Sequence, residues 1–213
     1  VGDAPAALGG PKQRLVLALL LAEPNRPVSV DRLIEGLWGD EPPDSARHTI
    51  QSYVSELRKL VGSVIERTGA GYRIQVDPRT LDTIDFEDRL SEARRTAATD
   101  PAQAADDLED ALALWRGVPF GDLGRQSTLE AESVRLEELR VVAVEIMMEA
   151  RIGSGRHAEV VAELDRLTRT HPYREELRAL HMLALYRSGR QAEALRAYRT
   201  TRDVLGEDLG IVP

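Results

Sequence analysis

Apolar positions over the first sixty residues follow helical spacing and are interrupted twice. Gly10-Pro11 opens a helix, because proline suits the first helical position, and Leu15, Val16, Leu17, Leu19, Leu20 and Leu21 make it apolar nearly all round, as a buried element would be. Pro24-Asn25 stops it. Ser29 offers an N-cap for a second helix, in which Val30, Leu33, Ile34, Leu37 and Trp38 form one stripe before Gly39 ends it. Asp40-Glu41-Pro42-Pro43 cannot continue helical, since a residue preceding proline is pushed out of the α region. Asp44 or Ser45 then caps a third helix with Ala46, Ile50, Tyr53, Val54, Leu57, Leu60 and Val61 inward and Gly62 as its stop. Past Gly62 the period becomes alternating. Val64, Glu66, Thr68 and then Tyr72, Ile74, Val76 predict two strands about a tight turn at Gly69-Ala70-Gly71.

From Asp85 onward the pattern is helical. Phe86, Leu90 and Ala93 stripe one helix; Asp100-Pro101 starts another through Leu108, Ala111, Leu112 and Trp115. Residues 117–124 read as a loop, and residues 128–152 as a long helix with Leu129, Leu136, Leu139, Val142, Ala143, Ile146 and Met147 inward. Ser154-Gly-Arg-His-Ala-Glu then recurs as Ser188-Gly-Arg-Gln-Ala-Glu, 34 residues on, which is the tetratricopeptide period. Val160 corresponds to Ala194, Val161 to Leu195 and Leu164 to Tyr198, while Pro172 marks where the first unit's second helix ends. The chain is therefore expected to be mainly α. Residues 1–80 form a winged helix-turn-helix with a small β-hairpin wing, and residues 81–213 an all-α, tetratricopeptide-like helical repeat domain.

Two domains suit 213 residues, at about 150 residues each. The net charge of −8 weighs against a nucleic-acid binder until it is divided: residues 1–78 hold 9 Lys and Arg against 10 Asp and Glu, leaving 19 against 26 for the remainder. A near-neutral first domain binds phosphates if its cations share one face. The third helix has such a face, in which Thr49, Gln51, Ser52 and Ser55 lie among Arg47, Arg58 and Lys59. Short polar side chains hydrogen-bond base edges and flanking cations reach phosphates, although a solvated face has the same composition. Arg67 and Arg73 put positive charge on the hairpin.

His48, His157, His171 and His181 fall in no HExxH-like spacing and the chain has no cysteine, so neither a transition-metal site nor a disulfide is expected. No phosphate-binding glycine loop or nucleophile elbow occurs, and Gly69-Ala70-Gly71 lacks the third glycine and following helix of a dinucleotide site. The acidic run Asp106-Asp107 with Glu109-Asp110 lacks the spacing of a calcium loop. No enzyme and no cofactor are expected. The longest apolar run, residues 15–22, is far short of the roughly 18 a membrane span needs, and no secretory pattern opens the chain, so a cytoplasmic, nucleoid-associated location is expected.

Five ordered strings carry a family resemblance: Gly9-Gly-Pro-Lys-Gln-Arg-Leu, Val28-Ser-Val-Asp-Arg-Leu-Ile, Leu37-Trp-Gly-Asp-Glu-Pro-Pro, Thr49-Ile-Gln-Ser-Tyr-Val-Ser-Glu-Leu-Arg-Lys-Leu and Gly71-Tyr-Arg-Ile. Together they resemble the Streptomyces antibiotic regulatory protein family, whose DNA-binding domain is similar to the winged helix of OmpR response regulators. Leu114-Trp-Arg-Gly-Val-Pro-Phe, the 34-residue repeat and the terminal Leu205-Gly-Glu-Asp-Leu-Gly-Ile-Val-Pro resemble the bacterial transcriptional activator domain that follows it. The resemblance implies a transcriptional activator of an antibiotic cluster that binds double-stranded DNA at direct repeats, contacts RNA polymerase and dimerises through its helical repeats. It assigns base contacts to Thr49, Gln51, Ser52 and Ser55, backbone contacts to Arg14, Arg47, Tyr53, Arg58 and Lys59, and a wing to Arg67, Gly71, Tyr72 and Arg73. Tyr53 also fits the core stripe, Trp38 fits core packing better than a phosphate contact, and His48 reads as a surface residue. The family's N-terminal strands would be present here only as a remnant, and the chain would be the front of a longer regulator. The alternative is a helical-repeat scaffold whose winged helix contacts protein rather than bases.

Overall fold

The computed structural model describes residues 8–210. Residues 1–7, where the remnant strands are expected, and the Ile211-Val-Pro end of the last motif lie outside the described residues. Cα packing divides the chain into two units, one of Val1–Asp85 with Arg116–Glu138, the other of Phe86–Trp115 with Leu139–Pro213.

In the first unit, α1 (Pro11–Leu21) begins with proline at its first turn, and the Gln13 side chain accepts the Gly10 N–H at 2.8 Å. Leu15 through Leu20 are all buried, as an all-apolar helix requires. Strand β1 (Val28–Ser29) leads into α2 (Val30–Trp38), where Ser29 Oγ accepts the Arg32 N–H at 3.1 Å, the expected cap. Helix α3 (Ala46–Val61) starts after Ser45, whose side chain makes no capping bond; neither expected cap is realised through its side chain. A short 3₁₀ turn, Gly62–Val64, then feeds β2 (Ile65–Arg67) and β3 (Gly71–Ile74).

The sheet has three strands in the order β1-β3-β2, all antiparallel, where the sequence predicted a hairpin alone. β1 was missed because two residues carry no alternation to read. Its presence corrects the role given to Gly71. That residue pairs with Ser29, and a Cβ on it would lie 1.9 Å from the Val28 carbonyl oxygen. Neither Gly69 nor Gly71 has positive φ, so close strand approach, and not a tight turn, requires the glycine at 71. Asn25, at φ 63°, ties the α1 exit to the end of β3: its side chain donates to the Val76 carbonyl and accepts the Val76 N–H, both at 3.0 Å, while its own N–H donates to the Ile74 carbonyl. Phe120, Leu123 and Leu129 of the Arg116–Glu138 segment pack into this same core.

The second unit comprises α4 (Asp82–Thr96) from Phe86 on, α5 (Pro101–Leu112), the latter part of α6 (Ser127–Gly153), α7 (His157–Thr170), α8 (Glu175–Arg187) and α9 (Gln191–Leu209). Phe86, Leu90 and Ala93 are buried as expected, and Phe86 meets Trp115 edge-on at 5.3 Å. The repeat is duplicated in its bonding. Gly155 and Gly189 both have positive φ, the Arg156 N–H reaches back to the Arg151 carbonyl as that of Arg190 does to Leu185, and each arginine then binds the glutamate three residues on. Val160 and Ala194 both pack inward, but Leu195 and Tyr198 are exposed where Val161 and Leu164 are buried. Among the described residues no helix follows α9 to cover them, whereas α8 covers α7.

Gly71→Ala should lower the unfolding free energy by about 2–4 kcal/mol, because the clashing atom is backbone and cannot rotate away. Urea denaturation checks it; a loss below about 0.5 kcal/mol would contradict the assigned β1–β3 approach.

Candidate nucleic-acid interface

Helix α3 is oriented by one buried line. Ala46, Ile50, Val54 and Leu57 are all at most 3% exposed, and the last three pack with α1, α2 and the sheet. Leu60, expected inward, is 53% exposed. Ten residues from Ile50 place it about 80° round from that line, on the flank. Burying three such branched side chains contributes roughly 5–8 kcal/mol, so the opposite face of α3 is held outward.

That opposite face brings Gln51, Ser52 and Ser55 together, all exposed, with His48 and Lys59 beside them. Thr49 does not join them: it is half-buried on the flank and its hydroxyl donates to the Ser45 carbonyl at 3.0 Å. Tyr53 is half-buried against the core, the reading its stripe position allowed. Trp38 likewise packs against the core, with Lys12 Nζ 4.5 Å above its ring.

The cations around this face each have a protein partner or lie free at the rim. Arg47 pairs with Asp31 at 2.5 Å and Lys59 with Glu56 at 2.6 Å, all four side chains largely exposed. Such pairs are worth roughly 0–1 kcal/mol, so a phosphate can replace the carboxylate cheaply. Arg58 has a different job. Its Nε donates to the Ile65 carbonyl at 2.8 Å, pinning the end of α3 to β2, which leaves less of its guanidinium for a backbone contact. Arg14 sits on α1, held by Asp122 at 3.2 Å.

On the wing, Arg67 is exposed and bears no ion pair among the described residues. Arg73 faces its cross-strand neighbour Glu66 at 2.7 Å. Tyr72 is 5% exposed and Gly71 is closed in by β1, so within the wing these two build its base and not its outer surface. Among the described residues, no group of three His, Cys, Asp or Glu could hold a metal, and no helix is long and apolar enough to cross a membrane.

Residues 6–82 match the family "Transcriptional regulatory protein, C terminal", and residues 81–213 match the "Bacterial transcriptional activator domain". The regulatory protein DnrI of Streptomyces peucetius is 35% identical over 95% of this chain and 79% of its own length. The chain belongs to the Streptomyces antibiotic regulatory protein family. Other members of this regulator family align over a smaller share of their length. The transcriptional regulatory protein EmbR of Mycobacterium tuberculosis is 41% identical over all of this chain and 57% of its own, and the regulatory protein AfsR of Streptomyces coelicolor is 42% identical over 97% and 21%. A solved structure of Mycobacterium tuberculosis EmbR in complex with a low affinity phosphopeptide matches with a TM-score of 0.95 at 42% identity, covering 99% of this chain and 57% of that one. The chain thus spans little more than half the length of EmbR.

Within this family framework, Asn25 and Arg58 are positioning residues, a role that the sequence alone showed for neither. The signal for Asn25 was its place after a helix-stopping proline, where asparagine tolerates left-handed backbone. Arg58→Ala should lower the unfolding free energy by about 1–2 kcal/mol through loss of a charge-assisted bond to a partly buried carbonyl, and Lys59→Ala by less than about 0.5 kcal/mol. Denaturant midpoints measure both, and equal effects would contradict the division of labour along α3.

Proposed function

We propose that this member of the regulator family is a sequence-specific DNA-binding transcriptional activator whose α3 enters the major groove with the wing alongside. The observation that carries this is the face of Gln51, Ser52 and Ser55, held rigidly outward and bordered by Arg47 and Lys59. Glutamine and serine offer donors and acceptors to base edges, and the bordering cations, with Arg67 on the wing, reach phosphates. The names of its relatives, all regulators, support the same reading. Double-stranded DNA with direct repeats near promoters is the proposed target, RNA polymerase a proposed partner, and genes of an antibiotic or other secondary-metabolite cluster the proposed regulon. Dimerisation through the helical repeats and a place on the cytoplasmic nucleoid complete the proposal.

The rival reading, a scaffold whose winged helix binds protein, draws on the acidic composition and on carboxylates already pairing Arg47, Lys59 and Arg73. A duplex selected from a random pool, titrated by gel shift at several salt concentrations, separates the two. Arg47→Ala and Arg67→Ala should each weaken binding to selected and scrambled duplexes alike and reduce the salt slope by about 1, whereas Gln51→Ala should cost about 1–3 kcal/mol on the selected duplex only. Indifference to duplexes at low salt would favour the scaffold.

A further inference from the structure

The second unit holds a groove of about 880 Å³ walled by α7, α8 and α9, within the roughly 300–1,000 Å³ usual for ligand clefts. Four arginines, Arg169, Arg178, Arg190 and Arg196, line it against two carboxylates, Asp165 and Glu193. Both carboxylates are committed. Asp165 accepts from Arg169 at 2.6 Å, and Glu193 is held bidentately by Arg190 at 2.7 Å, whose hydrogen bond keeps the Glu193 carboxyl below its usual range.

Arg178 is the anomaly. It is only 7% exposed, its Nε donates to the Pro172 carbonyl at 2.6 Å and its Nη1 to Thr201 Oγ1 at 3.4 Å, and among the described residues no carboxylate pairs with it. Burial without a counter-charge pulls its pKa down. A buried guanidinium satisfied only by neutral oxygens is costly, and an incoming carboxylate would recover much of that cost. Arg196 at the rim is exposed and has no ion pair among the described residues. On a chain of net charge −8, two arginines that share one concavity, neither in an ion pair among the described residues, form a local complement to negative charge.

We propose that this groove binds an extended acidic peptide segment of a protein partner, with Arg178 and Arg196 receiving its carboxylates. Apolar lining from Val161, Leu185 and Ala197 suits aliphatic side chains of the same segment. A phosphate strand fits less well, because it offers nothing aliphatic to Val161, Leu185 and Ala197.

A fluorescein-labelled Leu-Glu-Asp-Leu-Asp-Glu-Leu peptide, titrated with the whole chain by anisotropy, tests this, with the Gln/Asn version of the peptide as control. The acidic peptide should bind saturably and the neutral one about tenfold more weakly or worse. Arg196→Gln should weaken binding several-fold with a nearly unchanged melting temperature, since this exposed side chain makes no ion pair among the described residues, and Arg196→Glu should weaken it by about tenfold or more. Arg178→Lys should weaken it too, with circular dichroism establishing that the helices persist. Absence of acidic-peptide binding, equal binding of both peptides, or an unaffected Arg196→Glu variant would overturn the proposal. So would displacement of the peptide by a single-stranded oligonucleotide at equal concentration, which would assign the groove to nucleic acid.

Discussion

Burial of one helical line, Ile50, Val54 and Leu57, sets everything that the first unit offers to a partner. Those three side chains pack with α1, itself apolar on nearly every face, and with α2 and the sheet. Turning α3 far enough to hide its polar face would expose them, at a cost of roughly 5–8 kcal/mol. The ion pairs on the outer face, Arg47 with Asp31 and Lys59 with Glu56, are worth roughly 1 kcal/mol or less each, too little to compete. Orientation thus comes from the core and not from the ion pairs on the surface.

The same economy governs the wing. Asn25, Gly71 and Arg58 fix it by three different means: side-chain amide bonds to Val76, a backbone approach that only glycine permits, and a guanidinium bond to Ile65. Each acts on backbone atoms of another element, so its partner becomes visible only once the chain has folded.

Long periodic segments were legible without coordinates for the same reason. The stripe in α3, the all-apolar α1, the Ser29 cap and the 34-residue repeat each rest on contacts within a few residues or on recurrence, and all reappear as structure. Features that depend on non-local neighbours were harder to read. β1 is too short to show alternation, Leu60 falls on the flank of its helix, and Leu195 and Tyr198 have no covering helix among the described residues. Thr49 and Arg58, both expected at DNA, also bond to backbone carbonyls, which their residue types did not show. Arg178, which follows Glu175 and Glu176 and so reads as half of an ordinary helical ion pair, became a candidate only when its burial and its neutral partners were known.

The absence of cysteine allows a direct test of the outward face of α3. A single thiol introduced as Ser52→Cys, with Ala102→Cys on α5 as the control, can be labelled by a maleimide with and without a random-sequence duplex at low ionic strength. Duplex should slow labelling at position 52 several-fold and leave position 102 unchanged. Equal labelling rates at position 52 with and without duplex, under conditions where DNA saturates the protein, would contradict the account.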